Sequence, residues 1–114
     1  MKDIFGLSGI GTYEQRKVAN YKAGPLVIDT VFASDTGLYE TAVAHPDYNE
    51  GKWVIVEEYA TRPLATAGHK KWIQKMSKSR LPDELIDVSG AFLAGMCDTF
   101  SGENEWRRMK RIPK

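Results

Sequence analysis

The chain is short of the residues that most metal-binding and disulfide-bonded proteins need. Among its 114 residues there is one cysteine, Cys97, and there are two histidines, His45 and His69. A single cysteine excludes an intramolecular disulfide and is typical of a protein from a reducing compartment. One thiol and two imidazoles are too few to form a closed tetrahedral zinc site by themselves. We therefore expect no metal and no other cofactor.

Long apolar runs and strong catalytic motifs are also missing. No stretch approaches the ~20 apolar residues of a membrane-spanning helix, and residues 1–12 lack the apolar segment of a secretory signal. The nucleophile motif G-x-S-x-G is absent. Gly6, Gly9 and Gly11 have the spacing G-x-x-G-x-G, which matches neither a dinucleotide-binding motif nor a P-loop. These patterns predict a protein that has no membrane partner and is not an enzyme.

Acidic residues are absent from two segments of the chain. Residues 61–80 contain six basic residues and residues 106–114 contain five, whereas the net charge of the whole chain is only +1. Such a separation of charge can present a basic face to an anionic partner such as nucleic acid or a nucleotide. The alternative is an ordinary solvated helix face. The residues that we predict for a basic face are Lys70, Lys71, Lys75, Lys78, Arg107, Arg108, Lys110 and Arg111.

The apolar pattern predicts strands first and helices later. Four alternating or β-branched segments are joined by short links rich in turn residues, which indicates antiparallel hairpins. The segments are "RKVANYK" (16–22), "PLVIDTVFA" (25–33), "LYETAVAH" (38–45) and "KWVIVEEY" (52–59). Residues 61–80 then have apolar residues at helical spacing, with Thr61 as N-cap and Pro63 in the first turn. Gly68 in mid-helix indicates a close approach of this helix to the sheet.

We therefore predict a single α+β domain. It consists of a four-stranded antiparallel meander with one long amphipathic helix on one face, a short apolar helix and a basic tail. The predicted parts are a glycine-rich segment (1–12), a core (13–97) and the tail (98–114). "PDELIDV" (82–88) is predicted as a turn or a short helix. Trp53, Trp72 and Cys97 are predicted in the core, and Trp106 is predicted to anchor the tail or to contact a partner.

The tripeptide Asp35-Thr36-Gly37 has two interpretations. In retroviral-type aspartic proteases, which are homodimers of chains about this long, the same tripeptide carries the catalytic carboxylate. That carboxylate lies on a buried loop, so the family flanks the tripeptide with apolar residues and follows it with Ser or Ala, whereas here Ser34 precedes it and Leu38 follows it. An aspartate followed by a glycine is also what a hairpin turn prefers. We predict a turn.

The two histidines and two glutamates are the remaining candidates for acid–base or metal chemistry. His45 ends the third predicted strand, His69 follows Gly68 in the helix, and Glu57 and Glu58 lie in the fourth strand. Together they form a possible polar cluster. The alternative is that each histidine has local hydrogen bonds and a structural role.

One string is more specific than general folding patterns. Residues 39–76, "YETAVAHPDYNEGKWVIVEEYATRPLATAGHKKWIQKM", resemble a family of small, mostly uncharacterised proteins of tailed phages and prophages. The family pattern is E-R-K-V, then E-T-A-V-x-H-P-x-Y, then V-E-x-Y-x-T-x-x-x-A-x-x-G-H-x-x-W. Residues 14–90 are covered, although Gln15 replaces the first glutamate, and Pro63 and Leu64 stand where the family usually has acids.

The resemblance implies a phage origin and an α+β fold, and it implies no reaction. We therefore expect a non-enzymatic phage accessory protein in the host cytoplasm that binds a host or anti-phage-defence component. It would form a homo-oligomer through the apolar segment Ala91–Met96. Two alternatives stay open. One is a binder of nucleic acid or of an anionic nucleotide, and the other is a minor virion protein of the tail, neck or capsid.

Overall fold

The structure, a computed structural model, describes residues 12–89 and 107–112. Four antiparallel strands form a sheet in the order β1-β2-β3-β4, so every strand pairs with its neighbour in sequence. A short helix α1 (Tyr13–Arg16) precedes the sheet, and helix α2 (Arg62–Met76) packs against one of its faces. The strands are β1 (Lys17–Ala23), β2 (Leu26–Ala33), β3 (Leu38–Ala44) and β4 (Val54–Tyr59). The predicted α+β fold, with its meander and its long helix, is confirmed.

The Asp35-Thr36-Gly37 tripeptide lies in the turn between β2 and β3. The amide of Gly37 donates to the carbonyl of Ala33 over 2.8 Å, and Gly37 has a φ of +77°, which favours glycine. The side chain that supports the turn is Thr36, whose hydroxyl accepts from the amide of Leu38 over 3.2 Å. The structure therefore places the tripeptide in a hairpin turn, although the supporting side chain is the threonine rather than the expected aspartate.

Helix α2 begins as the sequence predicts. The side chain of Thr61 accepts a hydrogen bond from the amide of Leu64 over 3.4 Å, and Pro63 occupies the first turn. The side chains that face the sheet are small or apolar, with His69 as the one ionisable exception: Ala65, Gly68, His69, Trp72 and Met76. No helix in the described part of the chain is long and apolar enough to cross a membrane.

The hydrophobic core fills the space between α2 and the sheet. Its fully buried aliphatic residues on the strands are Ile28, Val43 and Val54, each with no exposed surface. Trp72 and Met76 cover them from the helix. Burial of this apolar area is what stabilises the helix on the sheet, at roughly 1.5–3 kcal/mol for each large side chain.

The prediction for "PDELIDV" and for the basic tail was wrong where the structure describes them. Glu84–Ile86 forms strand β5, and Arg108–Lys110 forms strand β6, which pairs with β5 in an antiparallel ribbon. The buried side chain of Leu85, 2% exposed, attaches this ribbon to the core. Each of these strands has only three residues, and more than twenty residues separate them in the chain. Three residues are too few to show the alternation by which a strand is recognised, so the sequence pattern misses them.

The three tryptophans have different outcomes. Trp72 is buried, as predicted, whereas Trp53 is 50% exposed and the prediction that it lies in the core was wrong. Trp53 comes just before β4, so the alternation of the strand does not extend to it. Trp106 and Cys97 lie outside the described residues. The glycine-rich segment 1–11 and the predicted apolar helix with Ala91–Met96 also lie outside them.

Candidate functional site

A β-bulge in β4 turns Glu57 and Tyr59 towards the helix. Val54 pairs with Val43 and Ile55 with Ala42, but Thr41 pairs with Glu57, so one residue of β4 has no partner. In a regular strand Glu57 and Tyr59 would face away from the core, because successive side chains alternate. The extra residue reverses the alternation, as bulges do next to functional or closely packed positions. The sequence "VIVEEY" carries no signal of this reversal.

The reoriented Glu57 carboxylate accepts hydrogen bonds from three side chains. The indole N–H of Trp72 donates to Oε1 over 2.8 Å, the hydroxyl of Tyr59 donates to Oε1 over 3.0 Å, and the ammonium of Lys71 lies 2.7 Å from Oε1 and 2.9 Å from Oε2. Burial by itself raises the pKa of Glu57, but the bonds from Lys71, Trp72 and Tyr59 outweigh it and lower that pKa. Glu57 is therefore ionised and joins β4 to α2.

A chain of hydroxyls continues from Tyr59 into the core. The hydroxyl of Tyr59 lies 3.2 Å from the Oγ1 of Thr41, which lies 2.6 Å from the Oγ1 of Thr30, which lies 2.8 Å from the Nδ1 of His69. Tyr59 has one proton, and the ionised Glu57 can only accept. The hydroxyl of Thr41 must then donate to Tyr59.

The direction of every other bond in the chain follows from that step. Since Thr41 donates to Tyr59, its oxygen accepts from Thr30, and the oxygen of Thr30 accepts from an Nδ1–H of His69. Burial lowers the pKa of His69, with an opposing effect of Asp29, so the neutral ring is favoured, and its bond to Thr30 places the proton on Nδ1. Every hydroxyl in the chain thus has a donor and an acceptor, which makes the buried network a fixed internal brace.

Gly68 allows this network to pass directly under the helix. A Cβ atom at this position would overlap the hydroxyl and the ring of Tyr59. The close approach that the mid-helix glycine predicted is therefore an approach to one side chain of β4. Helix and strand are held at this spacing because the bonds of Tyr59 to Glu57 and Thr41 fix its ring.

A cleft of ≈ 350 Å³ opens beside the network, between the end of β4 and the outer side of α2. Its lining is Glu57, Glu58, Tyr59, Ala60, Leu64, Ala67, Gly68 and Lys71. Leu64 is 56% exposed and forms the apolar part of the wall together with Ala67. The Glu57–Lys71 ion pair is part of this lining. The cleft therefore offers an apolar wall and one neutralised ion pair, with Glu58 at its edge.

The four residues of the predicted polar cluster do not meet at one point. Hydrogen bonds link His69 and Glu57 through three hydroxyls, whereas Glu58 is outside that chain. His45 is four residues from Thr41 along β3, which is about 13 Å. There its Nδ1 accepts from the amide of Asp47 over 3.0 Å, and its ring contacts Tyr48 edge-on. The threonines and Tyr59 that complete the network were not recognised from the sequence.

The predicted basic residues are spread over two elements, and several have partners. On α2, Lys71 pairs with Glu57 and the ammonium of Lys75 lies 4.4 Å above the ring of Trp72. Near β6, Arg107 donates to the carbonyls of Asp87 and Ser89, and Arg108 pairs with Glu84 at 3.8 Å. Lys70, Lys78 and Lys110 are exposed, and Arg111 is half-buried.

The face of the sheet opposite α2 carries a pair of like charges. Glu40 of β3 and Glu58 of β4 are directly opposite each other. Burial, then the charges of Glu58, Asp35 and Asp87, raise the pKa of Glu40. Burial also raises the pKa of Glu58, with Arg107 opposing it. Like charges at directly opposite positions destabilise an antiparallel pair.

The variant Glu40→Gln is expected to raise the free energy of unfolding at pH 7 by a few tenths to about 1 kcal/mol, because it removes this repulsion. Because the pKa of Glu40 is raised above 4.5 in the folded state, Glu40 takes up a proton more readily in the folded than in the unfolded chain. Its repulsion with Glu58 therefore disappears as the pH falls through the folded-state pKa towards 4.5. The advantage of the variant should therefore shrink at pH 4. Urea unfolding at both pH values measures it, with Glu50→Gln as an exposed control. A variant less stable than the parent at pH 7 would contradict the repulsion.

Comparison of the chain with models of known protein families, with curated proteins and with solved structures finds no match. Among the described residues, no group of three histidine, cysteine, aspartate or glutamate side chains is placed to hold a metal ion.

Proposed function

We propose that the protein acts by stoichiometric binding to a host or anti-phage-defence component, as a phage-encoded accessory protein in the host cytoplasm, and that it catalyses no reaction. The observation that supports the absence of a reaction is the state of Glu57. Its lowered pKa and its three donors make it a poor base, because a general base must be free to take up a proton near the working pH. The cleft beside it offers shape and charge to a partner.

The resemblance to phage proteins supports the same proposal. Six letters of the family pattern fall on residues that build the internal brace or its contact with α2, namely Thr41, Glu57, Tyr59, Gly68, His69 and Trp72. Their roles in this chain are accounted for by packing and hydrogen bonding. A pattern explained by the fold does not require a reaction to explain it.

The proposal is tested by purification of the tagged protein from infected cells, followed by reconstitution with the purified candidate partner. We expect a complex of fixed composition in native mass spectrometry and no turnover of the partner. We also propose that the free protein is a homo-oligomer, which the same spectra report, and a monomer alone would remove that part of the proposal. Failure to reconstitute any complex would contradict stoichiometric binding. Presence in purified virions at a constant copy number would favour the virion alternative instead.

Binding of an anionic partner is a second candidate, supported by the exposure of Lys70 on α2 and of Lys78 just after its end. Lys71 is a poor choice for a test because its removal would also break the ion pair with Glu57.

The double variant Lys70→Glu/Lys78→Glu is expected to weaken binding of a single-stranded oligonucleotide at least tenfold if this candidate is correct, since phosphate contacts release counterions. Fluorescence anisotropy at 50 and 200 mM salt measures the affinity and its salt dependence. Lys22→Glu, at an exposed position of β1, is the control for the change in charge. Affinity that is independent of salt, or that both variants lower equally, would exclude this candidate.

A further inference from the structure

One edge of the sheet is only partly covered by the described residues. β4 pairs with β3 on one side. On its other side, the described part of the chain supplies a single backbone hydrogen bond, from the amide of Val88 to the carbonyl of Ile55 over 2.8 Å. The following part of the strand, Val56–Tyr59, receives no strand from residues 12–89 or 107–112. Unpaired strand edges are templates for the addition of another strand.

This edge, which the described residues leave open at Val56–Tyr59, runs along the cleft beside α2. Glu57, Glu58, Tyr59 and Ala60 form one wall, and Leu64, Ala67, Gly68 and Lys71 form the other. Four strand residues span about 13 Å, which is enough to pair with a short extended segment. A groove between an edge strand and a helix is the arrangement in which extended peptides are bound by strand addition, with main-chain bonds to the edge and side chains directed to the helix.

We propose that this groove binds an extended peptide segment of the partner protein, which adds to β4 as a fifth strand, with an apolar residue against Leu64 and Ala67 and a basic residue beside Glu58. The inference rests on the proposed function, since it names the way in which the partner is recognised. It goes further in assigning the residues and the chemistry of the segment.

The charges of the groove favour a basic segment. Glu57 pairs with Lys71 in the groove, which leaves Glu58, on the face of the sheet opposite α2, as the remaining acidic side chain of this edge. Asp35 and Asp87 add negative potential around Glu58, and Arg107 offsets part of it. A lysine or arginine of the added strand would pair with this carboxylate across the strands.

The same charges disfavour a second copy of this chain at the edge. Two copies related by a two-fold axis through β4 would place the same acidic segment, Glu57–Glu58, opposite itself. Directly opposed like charges are destabilising in a sheet. A segment of opposite charge from another protein meets no such repulsion, so the partner segment is assigned to a different chain.

The test is an NMR titration of the ¹⁵N-labelled full chain with the capped peptide Lys-Val-Lys-Leu-Lys-Val-Lys. We expect shifts of the amides of Val56–Ala60, Leu64 and Ala67. Methylation of alternate peptide nitrogens should weaken binding at least tenfold, because it removes main-chain donors. Replacement of each lysine by glutamate should do the same. Equal affinity for the methylated peptide, or shifts confined to other residues, would overturn strand addition.

Two variants test how Leu64 and Glu58 contribute to peptide binding. Leu64→Ala should weaken binding about fivefold, because it removes apolar contact area. Glu58→Gln should weaken binding about fivefold for the lysine peptide and leave a serine-substituted peptide unaffected. Glu50→Gln, outside the groove, is the control for the loss of charge. If neither Leu64→Ala nor Glu58→Gln weakens binding, the assignment of the groove is wrong.

The free protein provides the remaining controls. Slow hydrogen exchange at Val56–Tyr59 without peptide would show that the edge is already covered within the chain, and shifts at these amides on concentration would show a second copy there. Either result overturns the proposal. If a full-length partner binds Leu64→Ala and Glu58→Gln as tightly as the parent, the groove is not its binding site. Stoichiometric binding would still stand in that case. Absence of any reconstituted complex would instead refute the proposed function, and the peptide titration would still decide on the groove.

Discussion

Replacement of Gly68 by alanine is expected to destabilise the protein by about 2 kcal/mol, even though alanine is the better helix former. The new Cβ would overlap the hydroxyl and ring of Tyr59. Overpacking costs roughly 1–3 kcal/mol, and displacing the ring weakens its bonds to Glu57 and Thr41 at about 1 kcal/mol each. Helix propensity returns only about 1 kcal/mol. Urea unfolding followed by circular dichroism measures the difference.

The control is the same substitution in a Tyr59→Leu background. Leucine lacks the distal ring and the hydroxyl, so a Cβ at position 68 no longer meets them. There Gly68→Ala should be neutral or should stabilise the protein by up to about 1 kcal/mol, which is the gain in helix propensity. An equal cost in both backgrounds would show that the contact with Tyr59 is not the reason for the glycine.

Replacement of Glu57 by alanine is expected to cost about 2–4 kcal/mol at pH 7. The indole N–H of Trp72 would lose its acceptor and the hydroxyl of Tyr59 one of its two partners, in a part-buried place. A buried donor left unpaired costs about 1–3 kcal/mol, and a lost hydrogen bond about 1 kcal/mol. Lys71 contributes little because its side chain is 50% exposed. The free energy of unfolding in urea, with tryptophan fluorescence as the signal, measures this loss.

Glu57→Gln is the matched variant, since it keeps an acceptor of the same shape and removes the charge. It should cost about 1 kcal/mol at pH 7. Because the folded-state pKa of Glu57 is lowered, the carboxylate stabilises the fold above 4.5, and this contribution is lost as the pH falls through the folded-state pKa. The difference between parent and Glu57→Gln should therefore close between pH 5 and pH 3. A constant difference over this range would contradict the lowered pKa.

These two predictions describe one structural device. Gly68 brings the helix close to β4, and Glu57 holds Trp72 and Lys71 of the helix at that distance. The chain of hydroxyls from Tyr59 to His69 then fixes the tyrosine ring from the core side. The device sets the width of the cleft in which we place the partner's strand. Loss of the device should therefore lower both stability and peptide affinity.

Local patterns were enough to predict the meander and the long helix. The four apolar segments, the short links with turn residues, the Thr61 cap and the lysine-covered face of α2 are all contiguous in sequence, and their periods identify strands and a helix. The turn at Asp35-Thr36-Gly37 was predicted for the same reason, because an aspartate followed closely by a glycine between two strand segments is visible without a structure.

The ribbon, the exposure of Trp53 and the site could not be read in the same way. Leu85 and the three-residue strands β5 and β6 depend on pairing between distant segments. Within the network, Glu57, Tyr59 and Thr41 meet because of one extra residue in β4. Alternation in the sequence predicts that Glu57 and Tyr59 face away from the helix. Only the register of the folded sheet shows that these two residues contact it.

By itself, the sequence of this protein determined the four strands of the meander and the long helix, because hydrophobic period and turn chemistry act over a few residues. The tertiary structure alone decided which polar side chains meet. A bulge of one residue reverses the alternation of β4, and a glycine without a side chain lets Tyr59 lie under α2. Contacts of this kind depend on register and distance between elements, and no single segment of the chain contains that information.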